Sequence, residues 1–259
     1  MNIIVCIKQV PDTTEIKIDP VTNTLVREGV ESIINPFDLY AIEEAIRLKE
    51  LHGGKITAIS MGPPQVETAL RDSVAMGVDE IILLTDRKFA GADTWATSLT
   101  LASAIRKLDY DLILFGQQAV DGDTAQVGPG VAAHLDIPQV GFVKKVESIE
   151  DNRITVQRLM EDGYDRIEMP MPSVLTVVKE INIPRLPSLR GKRKAKKAEL
   201  KIMTAADLGL DENEIGLNGS PTQVVSIFSP KMKKGGEKYE LPAEELAEIL
   251  HKKLKELRQ

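Results

Sequence analysis

The chain has 259 residues and is 42% hydrophobic, which is enough for one large α/β domain or one domain with appendages. Its formal net charge of −6 argues against general nucleic-acid binding, and no apolar run approaches the length of a membrane span. One cysteine excludes an internal disulfide framework, and three well separated histidines allow no metal site to be drawn. The N-terminal residues lack the pattern of a secretion signal, so the cytoplasm is the expected location.

Strand-like and helix-like segments alternate through the first half of the chain. The strand-like runs are residues 3–7, 56–61, 81–84 and 112–115. Helical periodicity covers residues 36–51, 64–76 and 93–108, with Asp93 or Thr94 placed to cap the third helix. This alternation predicts an α/β fold with a doubly wound, mostly parallel sheet covered by helices on both faces.

The loop at residues 116–129 follows the fourth strand and is rich in glycine and hydroxyl groups. A turn of this kind, leading from a strand into a helix, is where open α/β sheets bind ligands. The helix that follows begins with free backbone N–H groups, which favour a phosphate oxygen. The loop matches neither the G-x-G-x-x-G fingerprint nor a P-loop lysine motif. It therefore predicts phosphate or nucleotide binding, with an ordinary strand-to-helix turn as the alternative.

The second half of the chain has a different sequence pattern, with short strand-like runs instead of alternating strands and helices. Short strand-like runs separated by turn residues cover residues 140–149, 153–159, 166–169 and 174–178. They predict antiparallel strands, some of which extend the sheet. Between residues 184 and 197, two prolines and a dense run of Lys and Arg predict an exposed segment that leaves the main domain. Nucleic-acid binding is disfavoured there because the run contains no aromatic residues.

A last helix is predicted over residues 242–257. Its apolar face consists of Leu246, Ile249, Leu250, Leu254 and Leu257. Packing of this face on a partner subunit is favoured over a contact within the chain. We therefore predict a nucleotide-binding domain over residues 1–184, and a partner-recognition loop with a C-terminal arm over residues 185–259.

Several separated motifs resemble the β (small) subunit of electron transfer flavoproteins, in the order in which that family has them. They are the opening strand and loop at residues 4–12, Asn35-Pro36-Phe37-Asp38, Ser60-Met61-Gly62-Pro63, the loop at 116–129, and the segment with Pro184-Arg185, Leu189 and Lys194-Ala195-Lys196-Lys197. The likeness covers nearly the whole chain. It implies an adenine-nucleotide-binding, Rossmann-like domain whose C-terminal arm lies on a larger α subunit that holds an electron-carrying FAD.

The resemblance leaves two cofactors open. In simple members of the family the β subunit holds AMP in a structural role, whereas in electron-bifurcating members it holds FAD that accepts a hydride from NADH. Residues 87–98 resemble the bifurcating branch, and their small and hydroxyl side chains suit a pyrophosphate or ribityl chain at a helix N-terminus. FAD is therefore favoured over AMP. A routine capped helix is the alternative explanation of this segment.

The patterns and the resemblance together indicate a set of cofactor-binding residues. They are Cys6, Lys8, Asn35, Asp38, Met61, Asp93, Thr94, Thr97, Gln118, Asp121, Gly122, Asp123, Thr124, Gln126, Val127, Gly128 and Pro129. Cys6 is included for its backbone, and Asn35 contacts the nucleotide, caps the helix at Pro36, or does both. Lys8 either compensates phosphate charge or is a surface lysine, and Asp121 and Asp123 are expected to shape the loop.

The resemblance also implies partners. These are the electron transfer flavoprotein α subunit, an acyl-CoA dehydrogenase-type flavoprotein, NADH, and ferredoxin or flavodoxin. Leu189 matches the family's recognition leucine, while Arg185, Arg190 and Lys192 are expected to steer association with an acidic surface. No side chain is required as a nucleophile or general base. A stand-alone ATP-binding sensor of similar fold is disfavoured by the long segment after Val178.

Overall fold

The computed structural model describes residues 1–12, 32–225 and 236–256. The chain divides into two compact units, Met1–Val225 and Ser226–Gln259. The strands of the first unit are β1 (Asn2–Cys6), β2 (Gln9–Pro11), β3 (Ser32–Ile34), β4 (Lys55–Met61), β5 (Glu80–Leu84), β6 (Leu112–Gly116), β7 (Gln139–Glu150), β8 (Arg153–Leu159), β9 (Tyr164–Pro170), β10 (Ser173–Val177) and β11 (Leu200–Met203). Its helices are α1 (Pro36–His52), α2 (Glu67–Met76), α3 (Thr94–Ile105), α4 (Val127–Leu135), α5 (Leu189–Lys197) and α6 (Ala205–Leu208).

Nine strands form one sheet in the order β11-β5-β4-β1-β6-β10-β7-β8-β9. Neighbours are parallel from β11 to β7, and β8 and β9 continue the sheet antiparallel. Strands β2 and β3 form a separate antiparallel pair. The α/β, mostly parallel architecture predicted from the sequence is confirmed.

The central strands are buried on both faces of the sheet. In β1, Ile3 and Val5 pack in one hydrophobic cluster with α1 and α2, while Ile4 and Cys6 pack in a second cluster with α3 and α4. Alternate side chains of a strand point to opposite faces, so a continuous apolar run serves both layers. This is why the strand-like runs in the first half of the sequence lack a polar face.

The order of the strands creates a switch point next to β1. The chain runs from β1 outward to β4 and β5, then crosses back to place β6 on the other side of β1. The loops that leave β1 and β6 therefore diverge to opposite faces and open a crevice at the carboxyl ends of these strands. Open α/β sheets bind ligands in such a crevice.

Strand β10 differs from the sequence expectation. The sequence predicts an antiparallel strand over residues 174–178, but β10 lies between β6 and β7 and pairs parallel with both. All five of its residues are buried, as a central strand requires. The short apolar run is compatible with either arrangement, and only the tertiary pairing decides between them.

The first compact unit extends beyond the predicted nucleotide-binding region. The sequence predicts a division between residues 184 and 185, whereas the first unit continues to Val225; the assignment of residues 185–259 to partner recognition stays a prediction. Helix α5 packs on α2 with Ala195 buried, and β11 joins the sheet beside β5. Gly191 permits this packing, because a Cβ there would lie 2.0 Å from the carbonyl oxygen of Ala75. The basic run thus contains a helix docked on the main domain.

The described helix of the second unit is α7 (Ala243–Glu256). None of its described residues is buried, and Leu250 and Leu254 are more than half exposed. Leu257, the last residue of the predicted apolar face, lies outside the described residues. Packing of this face on an α subunit stays a prediction. Across the parts of the chain that the structure describes, no helix has both the length and the hydropathy needed to cross a bilayer.

Candidate functional site

A cleft of about 1030 Å³ opens at the carboxyl ends of β1, β4, β5 and β6. Its walls are the segments that follow these strands, together with the start of α1 and the N-terminal turns of α3 and α4. The volume lies at the upper end of the range for small-molecule and cofactor sites. The cleft is thus the crevice that the sheet topology calls for.

Asp38 joins the ends of β1 and β6 beneath the cleft. Its buried carboxylate accepts a hydrogen bond from the Lys8 N–H at 2.7 Å, and Gly116 packs against it so closely that a Cβ would lie 2.4 Å from Oδ1. Burial raises the pKa of Asp38 to about 7, although the backbone hydrogen bonds from Lys8 and Gly116 oppose this rise. Asp38 therefore positions the two strand ends that define the crevice.

Asn35 holds the β6–α4 loop. Its Nδ2 donates to the carbonyl oxygen of Gln118 at 2.8 Å, and its Oδ1 accepts from the Val120 N–H at 3.1 Å. Asn35 is the N-cap residue of α1, as expected, but its side chain makes no capping hydrogen bond because it is engaged with this loop. Asn35 does line the cleft, so a nucleotide contact stays a prediction.

Two further contacts fix the same loop. Lys8 pairs with Asp121 at 2.6 Å, and Gln118 donates a hydrogen bond to Asp123. Asp123 and Ala125 adopt positive φ angles of 55° and 54°. The carboxylates therefore shape the loop, as expected, and the Lys8 charge is already paired with Asp121 rather than left free for a phosphate.

Helix α4 presents an open N-terminus to the cleft. It begins at Val127, and among the described residues no side chain caps its first N–H groups. Pro129 was expected to precede the helix, but it lies in the first turn, where its fixed φ and missing N–H are tolerated. Gly128 lies over β10, because a Cβ there would come within 2.7 Å of Thr176 Cγ2. The backbone of α4 thus offers donors to an anion.

The N-terminus of helix α3, unlike that of α4, is capped by a side chain. Asp93 caps it as predicted, with Oδ1 accepting from the Trp95 and Ala96 N–H groups at 2.9 and 3.1 Å. Thr94 and Thr97 line the cleft. Ser98 is buried against α4, where a Cβ on Gly130 would lie 2.8 Å from its own Cβ. Since the α3 N–H groups already bind a carboxylate, a pyrophosphate is better accommodated at α4.

Comparison with known proteins identifies the family. The electron transfer flavoprotein domain matches residues 22–208. The chain is 59% identical over 238 residues to the electron transfer flavoprotein subunit beta of Thermoanaerobacterium thermosaccharolyticum, which covers 92% of this chain and 91% of that protein. The chain belongs to the electron transfer flavoprotein β-subunit family. The recognition made from separated sequence motifs is confirmed.

Two other relatives extend over almost the full length. The electron transfer flavoprotein subunit beta of Clostridium acetobutylicum is 51% identical over 256 residues, covering 99% of this chain and 98% of that one. The caffeyl-CoA reductase–Etf complex subunit CarD of Acetobacterium woodii is 50% identical over 259 residues, again covering 99% and 98%.

The structure gathers most of the predicted cofactor-binding residues of this β subunit around one cleft. Those that line it are Cys6, Lys8, Asn35, Asp38, Met61, Asp93, Thr94, Thr97, Gln118, Gly122, Asp123, Thr124, Gln126, Val127 and Gly128. Asp121 and Pro129 are not among the described lining residues; they act on the loop and the helix start instead. Direct contact of any of these residues with a cofactor stays a prediction.

Sequence reasoning missed several residues of the cleft. Pro64 follows β4, and Thr85 and Asp86 follow β5, so their position at strand ends is a signal that sequence reasoning could have used. Thr222 carried no such signal, because it reaches the cleft from a segment far along the chain. Burial also raises the pKa of the Cys6 thiol, which agrees with its expected role as a small buried residue.

Proposed function

We propose that this β subunit binds FAD in the cleft and works in an electron-bifurcating electron transfer flavoprotein. The single observation that carries the choice of FAD is the size of the cleft, about 1030 Å³, at the upper end of the range for cofactor sites. A mononucleotide such as AMP is less than half the size of FAD and would leave much of this space to solvent. AMP in a structural role remains the second candidate, because the family includes both.

The chemistry of the lining suits an adenine dinucleotide. The open N-terminus of α4 would hold the pyrophosphate through backbone N–H groups. Cys6, Asn35 and Met61 would line the ADP half, while Thr94 and Thr97 would offer hydroxyl groups to the ribityl and flavin half. The loop held by Asn35 and Asp121 would keep these groups in place before the cofactor binds.

When bound, FAD supplies hydride acceptance from NADH and single-electron release to two acceptors. The chain itself contributes binding, orientation and exclusion of water. In this proposal, Asp38 fixes the strand ends under the adenine side, and Asp93 holds the wall beside the threonines. No side chain acts as a nucleophile or general base.

The proposal includes four partners. An α subunit carries the second FAD on the high-potential path, which ends at an acyl-CoA dehydrogenase-type flavoprotein, and ferredoxin or flavodoxin accepts the other electron. NADH is the donor. The likeness to a protein named as a subunit of a caffeyl-CoA reductase–Etf complex supports a CoA-thioester reductase or dehydrogenase as partner.

Cofactor extraction from the complex purified with its α subunit tests the choice. Two FAD per heterodimer are expected. One FAD and one AMP per heterodimer would reject the FAD assignment and establish the structural AMP role instead.

A further inference from the structure

A segment late in the first unit returns to the cleft and lies across the β5–α3 loop. We call residues 216–222 the strap. The Leu217 N–H donates to the carbonyl oxygen of Ala90 at 3.0 Å, and Gly216 lies so close that a Cβ would be 2.0 Å from the carbonyl oxygen of Lys88. Gly216 also has a φ of 56°, which favours glycine. The strap backbone therefore rests directly on the loop.

The strap ends on Asp93. The Thr222 N–H and Oγ1 both donate to Asp93 Oδ2, at 3.0 and 2.8 Å. The Asp93 N–H in turn donates to Ser220 Oγ at 2.8 Å, and this hydroxyl donates to the Gly216 carbonyl at 2.6 Å. The other oxygen of Asp93 caps α3 through Trp95 and Ala96. One carboxylate thus joins the strap to the start of a helix that borders the cleft.

The electrostatics of Asp93 agree with this role. Burial alone would raise its pKa, but the hydrogen bonds from Thr222, Ala96 and Trp95 together hold the pKa below its usual value. The carboxylate is therefore charged at neutral pH and forms charge-assisted bonds, which are stronger than bonds between neutral groups.

The position of Thr222 gives the contact a consequence for the cofactor. Thr222 and Asp93 both line the cleft, on the same side as Thr94 and Thr97. If the strap lifted, the Thr222–Asp93 bonds would break and one wall of the cleft would open. Lys88 and Glu212, which precedes the strap, form another contact between these two parts of the chain, at 2.5 Å. Neither residue lines the cleft.

We propose that the strap is a closing wall of the nucleotide site and that Thr222 is a positioning residue, which retains the bound nucleotide through its hydrogen bonds to Asp93. The proposal rests on the proposed function in requiring an adenine nucleotide in the cleft. It does not depend on whether that nucleotide is FAD or AMP.

The test compares Thr222→Val, which removes the hydroxyl donor at nearly constant shape, with Thr222→Ser, which restores it. Glu212→Gln is the matched control outside the cleft. Each heterodimer is loaded with FAD, and separately with AMP, and dissociation after dilution is followed together with amide hydrogen exchange of residues 216–222. We expect Thr222→Val to release the nucleotide roughly two- to tenfold faster, the scale of one lost hydrogen bond. We also expect faster exchange in its strap, with Thr222→Ser and Glu212→Gln close to wild type.

The outcomes separate this proposal from the choice of cofactor. Faster release of AMP by Thr222→Val, in a complex that retains AMP and not FAD, would reject FAD but support the strap. Equal release rates for wild type, Thr222→Val and Glu212→Gln would overturn the strap proposal even if the complex retains two FAD. Loss of retention in Thr222→Ser as large as in Thr222→Val would also overturn it, because the hydroxyl would then be irrelevant.

Discussion

At the scale of single residues, three positions around the cleft are occupied by glycine for different physical reasons. Gly116 makes room for Asp38, and Gly128 makes room for Thr176 under α4. Gly122 lines the cleft with open space around it: among the described atoms, a Cβ there meets only Lys8 Nζ, at 4.0 Å. A bulky side chain at Gly128 would therefore disturb packing at a cost of about 1–3 kcal/mol, whereas one at Gly122 would occupy ligand space.

Gly122→Val is accordingly the cleaner test of the nucleotide site. Since no packed group is displaced, we expect the free energy of unfolding to change by less than about 0.5 kcal/mol. Nucleotide occupancy of the purified heterodimer should fall, as measured by extraction of FAD and AMP. Gly163→Val, at another open position, is the control and should retain the nucleotide. Full occupancy in Gly122→Val would place the ligand elsewhere.

Asp38 predicts a pH dependence of stability. Its pKa in the folded protein is about 7 against an ordinary 3.8, so the folded state binds the proton more tightly than the unfolded state. Its contribution to stability therefore falls as pH rises from about 4 to about 7, and the full cost of about 4 kcal/mol is present above pH 7. Removing the charge with Asp38→Asn should remove this dependence.

Urea unfolding at about pH 5 and pH 8 measures the effect. Between these values the wild type should lose about 2–3 kcal/mol relative to Asp38→Asn. Asp162→Asn, in the exposed turn between β8 and β9, serves as control and should follow the wild type. A constant difference between wild type and Asp38→Asn at both pH values would contradict the raised pKa.

At the scale of elements, the segment that leads into α5 is anchored by Arg185. Its guanidinium bonds the buried Glu43 at 2.8 Å and Glu50 at 2.7 Å, both on α1. Arg185 is therefore paired within the chain, and its expected role in steering a partner stays a prediction. Arg190 and Lys192 are exposed and keep that predicted role. The anchor leaves Leu186 and Leu189 with 88% and 82% of their surface exposed.

Leu189→Ala should weaken docking to the dehydrogenase. Leu189 is the first residue of α5 and contributes little to the core, so folding and nucleotide content should be unchanged. Burial of this leucine by a partner would contribute about 1.5–3 kcal/mol, which predicts a rise in KM for the dehydrogenase of at least about tenfold. Met160→Ala, at an exposed methionine just after β8, is the control. An unchanged KM in Leu189→Ala with an intact complex would exclude this leucine as a docking contact for the dehydrogenase.

At the scale of the whole molecule, the first unit is a complete sheet with a cofactor-sized cleft, whereas α7 has no buried residue among those described. An amphipathic helix gains most of its stability from burying its apolar face, so packing of α7 on a partner surface stays a prediction. The leucine face agrees with a chain that functions as one subunit of a complex. Tests of redox function therefore belong to the heterodimer.

Anaerobic titration of the heterodimer with NADH tests the bifurcating role directly. If the cleft holds FAD, NADH should bleach flavin absorbance at stoichiometric amounts, because the donor reduces the flavin by hydride transfer. NADPH serves as the control for donor specificity. If excess NADH causes no spectral change, the bifurcating role is rejected and the structural AMP role is supported.

The sequence alone determined the repeating strand-helix units and the loop at residues 116–129, because hydrophobic periodicity and turn chemistry are local properties. The family could also be recognised from the sequence, because several separated motifs occur in the order in which the family has them. Tertiary structure decided that β10 enters the middle of the sheet, that Lys8 pairs with Asp121, and that Thr222 reaches Asp93 across 129 positions of sequence. These contacts join residues that are far apart in the sequence and come together only when the sheet forms. Local sequence patterns therefore cannot predict them.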